Sequence, residues 1–124
     1  MIDFSDAKYL KLAAVSNELG SAKVSGILIH GEEVKETFQT VRDMVVFTNR
    51  RIIAINVQGA TGKKMDYTSL PYANIQAFSV ETAGTFDLDS ELELWFSGLG
   101  KVRFEFNGNI DITQICQNIS ERML

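Results

Sequence analysis

The stretch DMVVFTNRRIIAINV, residues 43–57, decides the fold. Its apolar residues fall in two short runs of β-branched and aromatic types, parted by Asn49 and Arg50. Val, Ile and Phe fit a pleated surface, and Asn tolerates the positive φ of a tight turn. The stretch therefore predicts a strand over 44–48, a turn, and a second strand over 51–57. Both faces of this hairpin are apolar. Met44 and Val46 alternate with Val45 and Phe47; Ile53, Ile55 and Val57 alternate with Ile52 and Ala54. A sheet with one face in water alternates apolar and polar residues, so this one needs cover on both sides.

The same period of two extends outward. Residues 34–41 alternate and predict the preceding strand. Gly59 and Gly62 mark a turn into a weaker strand over 63–69, which Pro71 ends. Strands follow over 75–82, 91–96 and 101–107, the last with Val102, Phe104 and Phe106 on one side and Lys101, Arg103 and Glu105 on the other. Residues 84–89 form a loop. The final segment is helical: Ile112, Ile115, Cys116, Ile119 and Met123 make one apolar stripe, and Asp111 with Gln114 has capping-box spacing. At the other end, residues 3–19 predict a helix capped by Asp3 or Ser5 and stopped by Gly20, although its apolar positions are spread around it. Residues 21–31 read as a short helix or a connection.

The outcome is an α+β chain with an antiparallel sheet of about seven strands and a helix after the last strand. Residues 1–30 are expected as an N-terminal helical segment and 31–124 as the main domain, one compact unit overall. Phe38, Val46, Ile53, Leu92, Leu94, Val102, Phe104 and Phe106 are expected to share a core with Ile112, Ile115 and Ile119.

The chain has 124 residues, 45% of them hydrophobic, which suits one globular domain with a sizeable core. A single cysteine, Cys116, excludes an internal disulfide and, with no signal-peptide pattern, favours the cytoplasm. No stretch approaches the ~20 apolar residues of a membrane span. A net charge of −4 argues against a nucleic-acid or anionic-membrane ligand.

Candidate chemistry is sparse. Gly59-Ala-Thr-Gly62-Lys63-Lys64 lacks the glycine spacing, the following Ser or Thr and the following helix of a phosphate loop, so a hairpin turn is the better reading. Asp87, Asp89 and Glu91 alternate without the rest of a calcium loop. His30, Glu32 and Glu33 form the only His–carboxylate cluster, and one His cannot build a usual zinc set there. No nucleophile has a base partner in sequence. The expectation is a chain that is not an enzyme and has no cofactor. Arg50 and Arg51 at one turn, with Lys63 and Lys64 at the next strand's start, form a candidate anion patch.

One resemblance sharpens the fold. Residues 43–55 resemble the D-x-L-V-F-T-N-x-R-L-I core of the bacterial pleckstrin-homology-like (PH-like) domain family. Tyr67, Ser69-Leu-Pro-Tyr72, Ile75, Phe78, Ser79, Glu81, Thr82 and Gly84 resemble its S-I-P-Y…I…F-S-x-E-T-x-G segment, and the likeness runs from about residue 30 to 124. It implies the PH-like superfold: a strongly bent sheet forming a partial barrel, with the C-terminal helix plugging one open end. It also implies cyclic homo-oligomers, rings of five, and no catalytic residues. Eukaryotic phosphoinositide binders of this superfold are basic on and between their first two strands. Here Lys35 and Arg42 stand among Glu32, Glu33, Glu36 and Asp43, so phosphoinositide binding is not expected.

These readings combine in a self-assembling interaction module that presents a surface to a protein partner, with anion or lipid-headgroup binding as the alternative. Val45, Phe47 and Ile52 are the candidate interface residues, because one apolar face of the central hairpin needs a cover that the N-terminal helix is poorly patterned to give. Trp95, alternating outward between Leu94 and Phe96, is the fourth.

Overall fold

A computed structural model describes residues 1–124. In chain order the elements are β1 (Ala7–Val15), α1 (Asn17–Val24), β2 (Val34–Gln39), β3 (Met44–Thr48), β4 (Arg51–Gln58) and β5 (Lys64–Pro71). A 3-10 turn (Tyr72–Asn74) leads to β6 (Ala77–Glu81), β7 (Ser90–Phe96), β8 (Gly100–Phe106) and α2 (Ile112–Met123). Contacts divide the chain into two units. One holds Ala14–Pro71 with Met1; the other holds Ile2–Ala13 and Tyr72–Leu124.

In the first unit the strands run β5-β4-β3-β2, all antiparallel. Every residue of β3 is buried. On one face Met44, Val46, Ile53 and Ile55 cluster with Val24 of α1, and Leu28, Val34 and Met65 pack around them. On the other face Phe47 meets Phe38 edge to face, ring centroids 5.6 Å apart. Both faces are thus covered, and α1 supplies one cover. Its N-cap is Ser16, whose hydroxyl accepts from the Leu19 N–H at 3.2 Å. Gly20, expected to stop a helix, lies inside α1. A Cβ there would overlap the side chain of Thr37 on β2, so the glycine lets helix and sheet approach closely.

In the second unit the strands run β1-β8-β7-β6, and β1 pairs with β8 in parallel. The sheet is mixed, not purely antiparallel, and the chain has eight strands, one more than expected. The extra one is β1, which replaces much of the expected helix over 3–19. Asp3 does bind a turn, accepting from the Ser5 N–H at 3.0 Å and the Ser5 hydroxyl at 2.7 Å, but no helix follows. The reason lies in Tyr9 and Leu12. Three residues apart, they suit a helix face; in β1 a bulge between them turns both inward. Lys11 sits in that bulge at φ 59°, and its ammonium is held by Asp89 at 2.5 Å and Glu105 at 3.6 Å. Tyr9 then stacks on Phe104, centroids 5.5 Å apart, a burial no isolated helix propensity matches.

The C-terminal helix forms as its stripe predicts. Ile112, Ile115 and Ile119 are buried, and α2 packs on the 3-10 turn and β7. The Asp111 carboxylate accepts from the Thr113 and Gln114 N–H groups at 3.1 and 3.2 Å. The Gln114 amide turns instead to Asn118, so the capping box is half made. All eleven expected core residues are buried. They do not share one layer: Val46 and Ile53 belong to the α1-covered cluster, on the face of β3 and β4 opposite Phe38.

Candidate interaction surface

The residues of the 43–55 stretch are occupied internally. Thr48 closes the β3–β4 turn by accepting the N–H groups of Arg50 and Arg51, both at 3.0 Å. Asn49 accepts from the Glu33 N–H at 2.8 Å and donates to the Gly31 carbonyl at 3.0 Å. Asp43 accepts from the Val57 N–H at 2.9 Å. At the centre stands Glu32, its side chain 0% exposed. Its carboxylate accepts from Arg51 Nε and Nη2, both at 2.9 Å, from the Thr48 hydroxyl at 2.7 Å and from the Ile29 N–H at 3.1 Å. Burial alone would raise its pKa; the bonds from Arg51, Thr48 and Ile29, with the charge of Arg51, outweigh that and hold it below the usual glutamate value. This is a saturated bidentate clasp, stabilising a turn.

The clasp dissolves the expected anion patch. Arg51 is spent on Glu32, Ser69 and the Ile27 carbonyl. Arg50 is exposed at the same turn, while Lys63 and Lys64 are exposed at the far end of β4. Arg51 pairs with Pro71, and Gln58 with Lys64. At about 3.3 Å per residue these ends stand about 23 Å apart, so the four cations do not converge. Arg42 lies nearer the lysines, donating to the Gly59 carbonyl of their hairpin at 2.9 Å.

Three expected interface residues are likewise displaced. Val45, Phe47 and Ile52 are fully buried within the chain, on the face of β3 and β4 opposite the one that α1 covers. Trp95 is 47% exposed. It belongs to the β6–β7 hairpin, where β7 alternates buried Leu92, Leu94 and Phe96 with outward Glu91, Glu93 and Trp95. The outward charges pair across β8: Arg103 with Glu91, and Lys101 with Glu93 at 3.6 Å. With Asp89 on Lys11, two of the three alternating loop acids are taken by cations. Asp87 accepts from the Asp89 N–H at 3.1 Å, a local turn rather than a metal cradle. Beside β7, β6 ends the strand order and pairs on one side only.

Sequence reasoning missed the hairpin's tip. Phe86 and Leu88, in the loop read only for its acids, are 101% and 62% exposed. Two large apolar residues among Asp and Gly were the signal. It also missed a cleft of about 180 Å³ between α1, the β2–β3 connection and the facing parts of β4 and β5, lined by Leu19, Val57 and Met65 together with Lys23 and Arg42.

The comparisons fit this architecture. The model of the bacterial PH domain family matches residues 3–123. The chain belongs to that family. It is 52% identical over 93 residues to YjqA of Bacillus subtilis (strain 168), an uncharacterized protein, covering 75% of this chain and 70% of that one. The crystal structure of a DUF1696-family protein with a pleckstrin-homology domain from Shewanella loihica PV-4 matches with a TM-score of 0.80 and 40% identity, over 94% of this chain and all (100%) of that chain. A pleckstrin-homology domain from Shewanella amazonensis SB2B matches at 0.67 and 43%, over 89% and 90%. The fold of this bacterial PH domain is therefore the PH-like one the resemblance implied. No helix is long and apolar enough to cross a membrane.

Proposed function

We propose that this bacterial PH domain is a non-enzymatic, self-assembling interaction module whose β6–β7 hairpin makes the contact between copies, leaving the assembled surface for a protein partner in the cytoplasm. One observation carries the reading. Trp95 stands 47% exposed on the hairpin's outer face, beside an edge strand with an open side. Trp is enriched at the centres of interfaces, and an open edge invites a further strand or a covering surface. The ion pairs of β7 and β8 leave Trp95 as the one outward residue of β7 that is not an acid. A closed homo-oligomer is the form expected, with a ring of five as the size suggested by the resemblance. The test is affinity capture with the full chain from bacterial cytoplasm, followed by mass measurement of the intact complex. A homo-oligomer carrying a second protein supports the reading; a lone chain of 13.8 kDa contradicts it.

Anion binding, the second reading, retains exposed Lys63 and Lys64 with Arg42 near them. The net charge of −4 opposes it at physiological salt, where the Debye length is ~8 Å. Titration with soluble phosphoinositide headgroups is expected to give no saturable binding. Micromolar binding abolished by Lys63→Ala with Lys64→Ala would reverse that preference.

A further inference from the structure

Resting on the self-assembly reading, we infer that the loop joining β6 and β7 docks into the cleft beside α1 of a second copy, with Phe86 as the inserted side chain. The loop and the cleft are complementary in three respects. The first is size. The cleft offers about 180 Å³. A cavity of about 150 Å³ suffices to take benzene, so one phenyl ring fits. The second is polarity. Phe86 stands free in water at 101% exposure, with Leu88 two residues on, and the cleft is lined by Leu19, Val57 and Met65, which keep accessible apolar surface. The third is charge. The loop carries Asp87 and no cation between Glu81 and Glu91, whereas Lys23 and Arg42 edge the cleft and Lys63 and Lys64 stand on the hairpin that Arg42 touches. The acid inside the cleft, Asp43, is turned inward on the Val57 N–H at 2.9 Å.

Such a contact is heterologous: the surface each copy gives differs from the one it receives, so every chain can engage two neighbours and a closed ring is open to it. It also assigns Lys63 and Lys64 a protein carboxylate, not a lipid phosphate, as their counter-charge. Opposite charges at the rim steer encounter and fix register more than they add affinity, so the assembly should loosen as salt rises.

Heterologous contacts can be tested by complementation. Light scattering coupled to size exclusion gives the mass of the full chain at micromolar concentration. Two variants are compared, Phe86→Asp in the loop and Lys23→Glu with Arg42→Glu at the cleft, each checked for an unchanged thermal melt. Should the double change disturb the fold, Lys23→Glu alone replaces it. Each variant is expected to lose mass relative to wild type, and an equimolar mixture is expected to form a pair containing one of each, since one intact loop and one intact cleft remain. A monomeric wild type would overturn both the self-assembly reading and this contact. An oligomeric wild type whose mass survives Phe86→Asp would leave self-assembly standing and sink the contact alone. The contact also fails if the mixed variants do not pair. It fails again if phosphatidylserine vesicles bind wild type and Phe86→Asp equally but not the cleft variant, which would make the cleft a lipid site.

Discussion

β3 and β7 show how one family of side chains can serve opposite ends. Met44-Val-Val-Phe-Thr48 is buried at every position, while Ser90-Glu-Leu-Glu-Leu-Trp-Phe96 buries only alternate ones. The difference lies in what lies over each strand. The first has α1 on one face, admitted by Gly20; the second has a ladder of ion pairs on its outer face and Trp95 beyond it. A strand apolar on both faces is here buried on both, and the exposed aromatic stands where alternation is otherwise clean.

Truncation should have the largest effect where the comparison is least forgiving. Ile53→Ala beneath α1 and Leu94→Ala on the inner face of β7 each remove a fully buried side chain. Both are expected to cost about 2–5 kcal/mol in urea unfolding. A cost below about 1 kcal/mol for Ile53→Ala would mean that α1 covers its face loosely.

The clasp comes next. Glu32→Ala leaves Arg51 and the Thr48 turn without their shared acceptor and should cost about 3 kcal/mol, the lower part of the buried-pair range because Arg51 is partly exposed. Its pH dependence follows from sign. The Glu32 pKa is lowered in the fold, so its contribution is complete above the unfolded glutamate value of about 4.3 and is lost as pH falls through the lower folded value. Thermal melts from pH 7 to pH 3 should therefore show a smaller acid loss in Glu32→Gln than in wild type. Parallel curves would remove Glu32 from the acid response.

How much of this was legible in the sequence depends on whether local pattern and tertiary role agreed. The hairpin over 43–57 and the last helix were readable, because each apolar stripe also faces a real partner. β1 was not: Ala-rich composition and the Tyr9–Leu12 spacing both mimic a helix, and only the bulge at Lys11, anchored by distant Asp89 and Glu105, reconciles them with a strand. The buried state of Val45, Phe47 and Ile52 was hidden for another reason: they alternate with the equally apolar Met44, Val46, Ile53 and Ile55, so no polar face marks which side meets solvent. Arg51 looked like a free cation because its acceptor, Glu32, sits nineteen positions away. Phe86 was not legible because it lies in a loop, where no strand or helix period separates an exposed apolar side chain from a buried one.

The smallest effect on stability is expected at Trp95, where the same strand meets solvent. Trp95→Glu should shift unfolding by no more than about 0.5 kcal/mol, as surface changes usually do. Its effect on assembly is the direct test of the central claim. Light scattering coupled to size exclusion, run on wild type and Trp95→Glu at matched micromolar concentration, should give a closed multiple of 13.8 kDa for the first and a clearly smaller species for the second. A wild type at 13.8 kDa, or a folded Trp95→Glu that keeps the wild-type mass, would contradict the account.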